Sequence, residues 1–192
     1  NERSSYFNNL YLIKLPVHIA IEKIFDSYES EDLDGLKRNI NNLTELINKS
    51  EEKLNEINII KSGKYLFNLM NEFLRDWNKF NVDNKNNFIE TISLKAPDAP
   101  DAPSCSPVAP DESLAQKNYD KYKKDFDNYK RDLDKCKILF ENYNKDFDKY
   151  KELNEVYNKN FDKYEILIED YNILTEKYNS QFKDAKTNFM QF

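Results

Sequence analysis

From Tyr122 to Tyr178 an apolar residue, almost always a tyrosine, falls on every seventh position. The series is Tyr122, Tyr129, Cys136, Tyr143, Tyr150, Tyr157, Tyr164, Tyr171 and Tyr178, and Cys136 alone breaks the run of rings. A second series lies three residues ahead of each: Tyr119, Phe126, Leu133, Phe140, Phe147, Asn154, Phe161, Ile168, Thr175, Phe182 and Phe189. Together they form the a and d positions of a heptad, with Tyr at d and mostly Phe at a. A seven-residue apolar period keeps one seam of an α-helix facing a partner, so this segment is built to lie along another helix. Neither Pro nor Gly interrupts it between about residues 113 and 188. At a rise of about 1.5 Å per residue the predicted helix is on the order of 110 Å long. The motif Asp-Phe-Asp-X-Tyr occurs at 125–129 and 146–150, with Asn-Phe-Asp-Lys-Tyr at 160–164. These spacings are multiples of seven, which fits duplication of a heptad unit.

The apolar face is wider than two positions. Leu139, Leu153, Leu167 and Leu174 occupy g, and Ile138, Ile166 and Ile173 occupy f. A helix with three or four apolar positions per heptad touches more than one neighbour. Those neighbours are expected in the first half of the same chain. Each d tyrosine also needs water or an acceptor for its hydroxyl, which tells against a tight parallel dimer. The charges lean the other way: Asp125, Asp132 and Asp146 at g and Lys130, Lys137 and Lys151 at e would attract across a parallel homodimer.

The first half predicts shorter helices. Residues 1–15 show no clear period; Pro16 suits a first helical turn, and Val17, Ile21, Ile24, Phe25 and Tyr28 continue a helix over 16–30. Leu36, Ile40, Leu43, Ile47, Ser50, Leu54 and Ile57 predict a second helix over 33–61. After Ser62-Gly63, which reads as a turn or a kink with the kink favoured, a third helix over 64–80 carries Leu66, Met70, Phe73, Trp77 and Phe80. Asn81–Asn87 reads as a loop before a short docking segment at Phe88, Ile89 and Ile92. Prolines 97, 100, 103, 107 and 110 then forbid helix and sheet and predict an extended strap, read as a linker rather than a recognition segment. The organisation expected is an N-terminal helical region (1–95), a proline-rich linker (96–111) and the long aromatic helix (112–192). The fold class is all-α: an elongated bundle or antiparallel coiled-coil hairpin dominated by its C-terminal helix.

Composition narrows the function classes. The chain of 192 residues has 33% charged residues and only 2 glycines, leaving little material for phosphate-cradling loops. Net charge is −6, and residues 117–186 hold 16 basic and 16 acidic side chains, so no basic stripe exists for nucleic acid or for a membrane-shaping dimer. No apolar run is long enough to span a bilayer. The chain starts at Asn1 rather than Met, which reads as a processed form or a fragment, and the compartment stays open. Cys105 and Cys136 are too few for a disulfide framework, and Cys136 at d reads as a small packed thiol.

Candidate chemistry is sparse. His18 stands alone on an apolar helix, and zinc would need three or four ligands. No phosphate loop, nucleophile elbow or Cys-X-X-Cys is present. No metal, cofactor or catalytic residue is assigned. The residues expected to make partner or seam contacts are Phe126, Tyr129, Phe140, Tyr143, Phe147, Tyr150, Tyr157, Phe161, Tyr164, Tyr171 and Tyr178, with Trp77 as a core residue. The expected function is a non-enzymatic scaffold that spaces or braces partner proteins, through other subunits or self-association. The alternatives are a secreted or cell-surface helical protein binding a receptor or host partner and, behind it, a peripheral membrane-shaping dimer.

Overall fold

The computed structural model describes residues 2–191. Five helices carry the chain: α1 (Glu2–Glu29), α2 (Leu33–Asn55), α3 (Lys64–Thr91), α4 (Ser113–Lys117) and α5 (Tyr119–Gln191), with no strand among the described residues. The class is all-α and α5, at 73 residues, dominates it. The chain forms two compact units. One takes the residues up to Leu94 together with those from Lys159 on, and the other is Lys95–Asn158. α5 therefore contributes to both.

In the first unit α1, α2, α3 and the C-terminal part of α5 make a four-helix bundle with alternating directions. α2 returns antiparallel to α1: Asn39 Nδ2 donates to Lys23 O (3.1 Å) and Ser50 Oγ to Ile13 O (3.3 Å). α3 runs parallel to α1, since Tyr6 Oη donates to Gly63 O (3.1 Å) at one end and Tyr28 Oη meets Thr91 Oγ1 (2.7 Å) at the other. α5 returns antiparallel to α1, with Tyr171 against Phe25 and Phe189 against Tyr6. The core is the set of inward stripes: Leu10, Val17 and Ile24 of α1, Leu36, Ile40, Leu43 and Ile47 of α2, Phe73, Leu74 and Phe88 of α3, and Leu167 and Tyr178 of α5.

Several elements depart from the sequence expectation. α1 starts at Glu2, not near Pro16, and passes through the proline. The reason is a stripe at spacings of four and three: Tyr6, Leu10, Ile13, Val17, Ala20 and Ile24 are all buried and stay in phase across it. A proline inside a helix costs about 3 kcal/mol, less than burying this stripe returns at roughly 1.5–3 kcal/mol per side chain. α2 ends at Asn55, short of residue 61. Gly63 belongs to a turn and not to a kink: a 3-10 turn at Lys61–Gly63 precedes α3, and a Cβ on Gly63 would collide with the Tyr6 ring. Asn81–Asn87 is helix, not loop, because α3 continues to Thr91. Asn81 and Asn84 are buried, and Asn81 Nδ2 donates to Ile40 O (3.0 Å) and Thr44 Oγ1 (3.0 Å) of α2. The long helix is interrupted once near its start, where Asn118 leaves helical geometry and its Oδ1 accepts from Lys121 N (3.1 Å) to cap α5.

The α1–α2 corner is built for a sharp reversal. Glu31 adopts the left-handed region (φ 55°), and Asp32 Oδ1 accepts from Gly35 N at 2.9 Å to cap α2. Gly35 is packed so closely on Asp32 that a Cβ there would overlap its carboxylate.

Two substitutions test this architecture by thermal or denaturant unfolding. Phe88→Ala removes a fully buried ring that meets Phe25, Tyr28 and Phe80 edge-on. It should cost about 3–5 kcal/mol, whereas a docking segment beyond a flexible loop would lose far less. Pro16→Ala should stabilise the bundle by on the order of 1–2 kcal/mol, the restored helix outweighing the freer unfolded chain. A lower midpoint for Pro16→Ala would contradict a continuous α1.

Candidate functional site

The aromatic seam of α5 is covered differently in the two units. Within the bundle, rings from α1 and α3 fill it. Tyr171 packs on Phe25 (centroids 3.9 Å) and on Trp77 (6.0 Å), and Tyr178 meets Phe73 edge-on at 5.2 Å. Tyr178 is 2% exposed and Trp77 3%, so both are core residues. Tyr164 and Tyr171 are half-buried, while Phe161 is 37% exposed.

Within residues 95–158 no second long helix is available, and the proline strap takes that place. Cys105 of the strap is bonded to Cys136 of α5, with Cα atoms 5.8 Å apart. This corrects the reading of Cys136 as a packed thiol: it sits on the seam because its partner does. Pro97, Pro100, Pro103, Pro107 and Pro110 are each half-buried, while the residues between them, apart from Cys105, are exposed. A polyproline helix repeats every three residues, so prolines three apart share one face. On α5, Tyr122, Phe126, Tyr129, Leu133, Tyr143, Phe147, Tyr150, Asn154 and Tyr157 are half-buried and Cys136 is buried, which is the seam again. Phe140 is the exception at 44% exposed.

The two periods match in length. Three strap residues advance about 9 Å and seven helical residues about 10.5 Å, so each inward proline meets roughly one heptad. Counting outward from the disulfide, the strap from Pro110 to Pro97 faces the stretch from about Phe126 to about Asn154. The strap cannot hold itself by a backbone ladder, because proline lacks the N–H. The covalent bridge ties it to α5, and the half-burial of its prolines fits packing against the seam.

The charged flanks of α5 pair along their own helix. Lys135 meets Asp132 (3.1 Å), Lys137 meets Asp134 (3.8 Å), Lys149 meets Asp146 (3.7 Å) and Lys151 meets Asp148 (3.3 Å). Lys130 and Lys151 also lie over the Phe126 and Phe147 rings at 4.6 and 4.8 Å. The lysines read as partner contacts in a parallel dimer are thus engaged locally, in exposed pairs worth only a few tenths of a kcal/mol each.

One polar cluster escaped the sequence reading. Asp76 Oδ2 of α3 accepts from Tyr178 Oη (2.6 Å) and Lys177 Nζ (2.8 Å) of α5. Burial acts to raise the Asp76 carboxyl, but the hydrogen bonds from Lys177 and Tyr178 and the lysine's charge outweigh it and hold the pKa below the ordinary value. Burial first, and then the Asp76 carboxylate, push the Tyr178 phenol far above its ordinary value. The tyrosine therefore stays a neutral donor. Its d-position hydroxyl needed an acceptor, and only the partner 102 residues away was invisible in the sequence.

Among the described residues no cluster of three or more His, Cys, Asp or Glu side chains is arranged to hold a metal ion, and no helix is long and apolar enough to cross a membrane. His18 Nε2 lies 3.2 Å from Glu22 on the surface of α1. No family model matches the chain, and neither the curated proteins nor the solved structures compared with it give a match.

Two measurements follow from these contacts. Replacing both cysteines by serine frees a closed loop of sequence separation 31, and the covered seam should lose roughly 3–4 kcal/mol of stability. The Phe25–Tyr171 and Phe73–Tyr178 packing should persist in that variant, as judged by near-ultraviolet circular dichroism. The Asp76 pair has a pH signature. Because its folded pKa is depressed, its contribution is fully present above the unfolded value of about 4 and is lost as pH falls through the folded value. Asp76→Asn should cost about 1.5–3 kcal/mol at pH 7, and the difference from the parent should shrink towards zero in acid. A gap that stays constant with pH would rule out the ionised pair.

Proposed function

We propose that the chain is a non-enzymatic structural module of an oxidising, extracytoplasmic compartment, which braces or holds partner proteins. The observation that carries this reading is the Cys105–Cys136 bridge. Disulfides persist in secreted and surface proteins and are rare where glutathione and thioredoxin keep thiols reduced. The bridge favours the secreted or cell-surface alternative over a cytosolic scaffold, and the two readings merge into one: a helical brace that works outside the reducing cytosol. Fastening a strap onto a helical face costs chain entropy, and it suits a surface that must keep its form.

A partner surface is available on α5. Ile138, Leu139, Leu153 and Val156 are exposed. At about 100° per residue they fall within roughly 100° of the helix circumference, with Ile138 and Val156 on the side away from the seam and Leu139 and Leu153, at g, along its edge. Apolar side chains grouped like this favour protein–protein contact.

The compartment is tested on the natural protein in its cell. Free thiols are alkylated before lysis and the rest after reduction, and peptides carrying Cys105 and Cys136 are weighed. The expected result is that both cysteines are protected until reduction. Alkylation of both before reduction would place the protein in a reducing compartment and remove this reading.

A further inference from the structure

The bundle contains an open cleft that neither the seam nor the strap uses. It measures about 290 Å³ and lies between α1, α3 and α5. Phe7 and Leu10 of α1, Leu66 and Met70 of α3 and Phe182 of α5 form its walls. Leu10, Leu66 and Met70 are almost wholly buried, so the floor is continuous with the core. Three lysines stand around it: Lys14 of α1, and Lys183 and Lys186 of α5.

The charge there runs against the rest of the molecule. The chain carries a net −6, yet among the described residues no carboxylate lines this cleft. Elsewhere in the bundle lysines meet acids: Lys163 pairs with Glu90, Lys177 with Asp76 and Lys79 with Asp83. Two of the cleft lysines meet rings instead. Lys14 Nζ lies 4.8 Å from the Phe182 centroid and 5.5 Å from that of Phe73, and Lys186 Nζ lies 5.4 Å from the Phe7 centroid. Burial depresses the Lys14 ammonium below the usual lysine value. A half-buried cation held only by ring faces gains from an anion on its open side.

We infer that this cleft binds a small amphiphilic carboxylate, a medium-chain fatty acid in chemical class, with its alkyl chain on the Leu10–Met70–Phe182 floor and its carboxylate among Lys14, Lys183 and Lys186. The size sets the chain length. One water occupies about 30 Å³ in the liquid, so the cleft accommodates about ten atoms of that size. An apolar pocket with a few convergent polar groups is the usual form of a small-molecule site. The lysines supply discrimination by head-group charge, which an apolar groove alone lacks.

The test uses the full chain with its disulfide intact, and decanoate, decanol and decyltrimethylammonium as probes below their aggregation limits. The chain has two methionines, Met70 in the cleft floor and Met190, which is exposed. With methyl-labelled methionine, decanoate should shift the Met70 resonance saturably and leave Met190 in place. By calorimetry the cationic probe should bind at least tenfold more weakly than decanoate. Lys183→Gln with Lys186→Gln, both exposed and thus harmless to folding, should weaken decanoate at least fivefold while leaving decanol unchanged. Adding Lys14→Gln should weaken it further, with circular dichroism confirming the bundle. The inference is overturned if Met70 does not respond, if the three head groups bind alike, or if the lysine changes leave decanoate affinity intact.

Discussion

A 73-residue helix with an aromatic seam along its length cannot leave that seam in water, and the rest of the molecule is arranged to cover it. Each buried aromatic or aliphatic ring or chain is worth roughly 1.5–3 kcal/mol relative to exposure. Two covers are used. In the bundle, α1 and α3 present Phe25, Phe73 and Trp77 to Tyr171 and Tyr178. In residues 95–158 the proline-rich strap is bonded to the same seam at Cys136, with its prolines half-buried and the residues between them, other than Cys105, exposed. The substitution works because one turn of strap and one heptad of helix advance by nearly the same distance.

Apolar stripes alone would permit these helices to slide or to swap neighbours, so polar pins choose the register. Tyr6 on Gly63 and Tyr28 on Thr91 fix both ends of α1 against α3. Ser50 on Ile13 and Asn39 on Ser27 (2.8 Å) fix α2 against α1, while Asn81 on Ile40 fixes α3 against α2. Asp76 does the same for α3 and α5 through Tyr178 and Lys177. Leaving a buried one of these groups, such as Ser50 or Asn81, without its partner costs about 1–3 kcal/mol, and a half-buried one less, which penalises every other register. The disulfide performs this role for the strap, which has no backbone ladder of its own.

What the sequence made legible is what depends on period. The long helix, the α2 stripe, the extended strap and the core place of Trp77 all follow from spacing. What it hid depends on distant pairing. Tyr11-Leu12-Ile13 blurs the α1 stripe into an apolar run, and Pro16 invites a helix start where the helix in fact continues. Asn81–Asn87 looks like a loop because asparagine is usually solvated; the acceptors Ile40 O and Thr44 Oγ1 of α2 are what admit Asn81 to the core. The disulfide was within reach of arithmetic. An antiparallel strap rising about 3 Å per residue brings Cys105 back beside a helical residue well inside α5, near Cys136.

The central claim is that prolines of the strap sit on the aromatic seam of α5. Proton resonances of the intact, oxidised protein test it most directly, because a methylene packed on a ring face is shielded by the ring current. The account predicts upfield-shifted ring protons for Pro100, Pro103 and Pro107, with nuclear Overhauser contacts to rings between Phe126 and Tyr150. Proline shifts at their unstructured positions, without contacts to those rings, would contradict it.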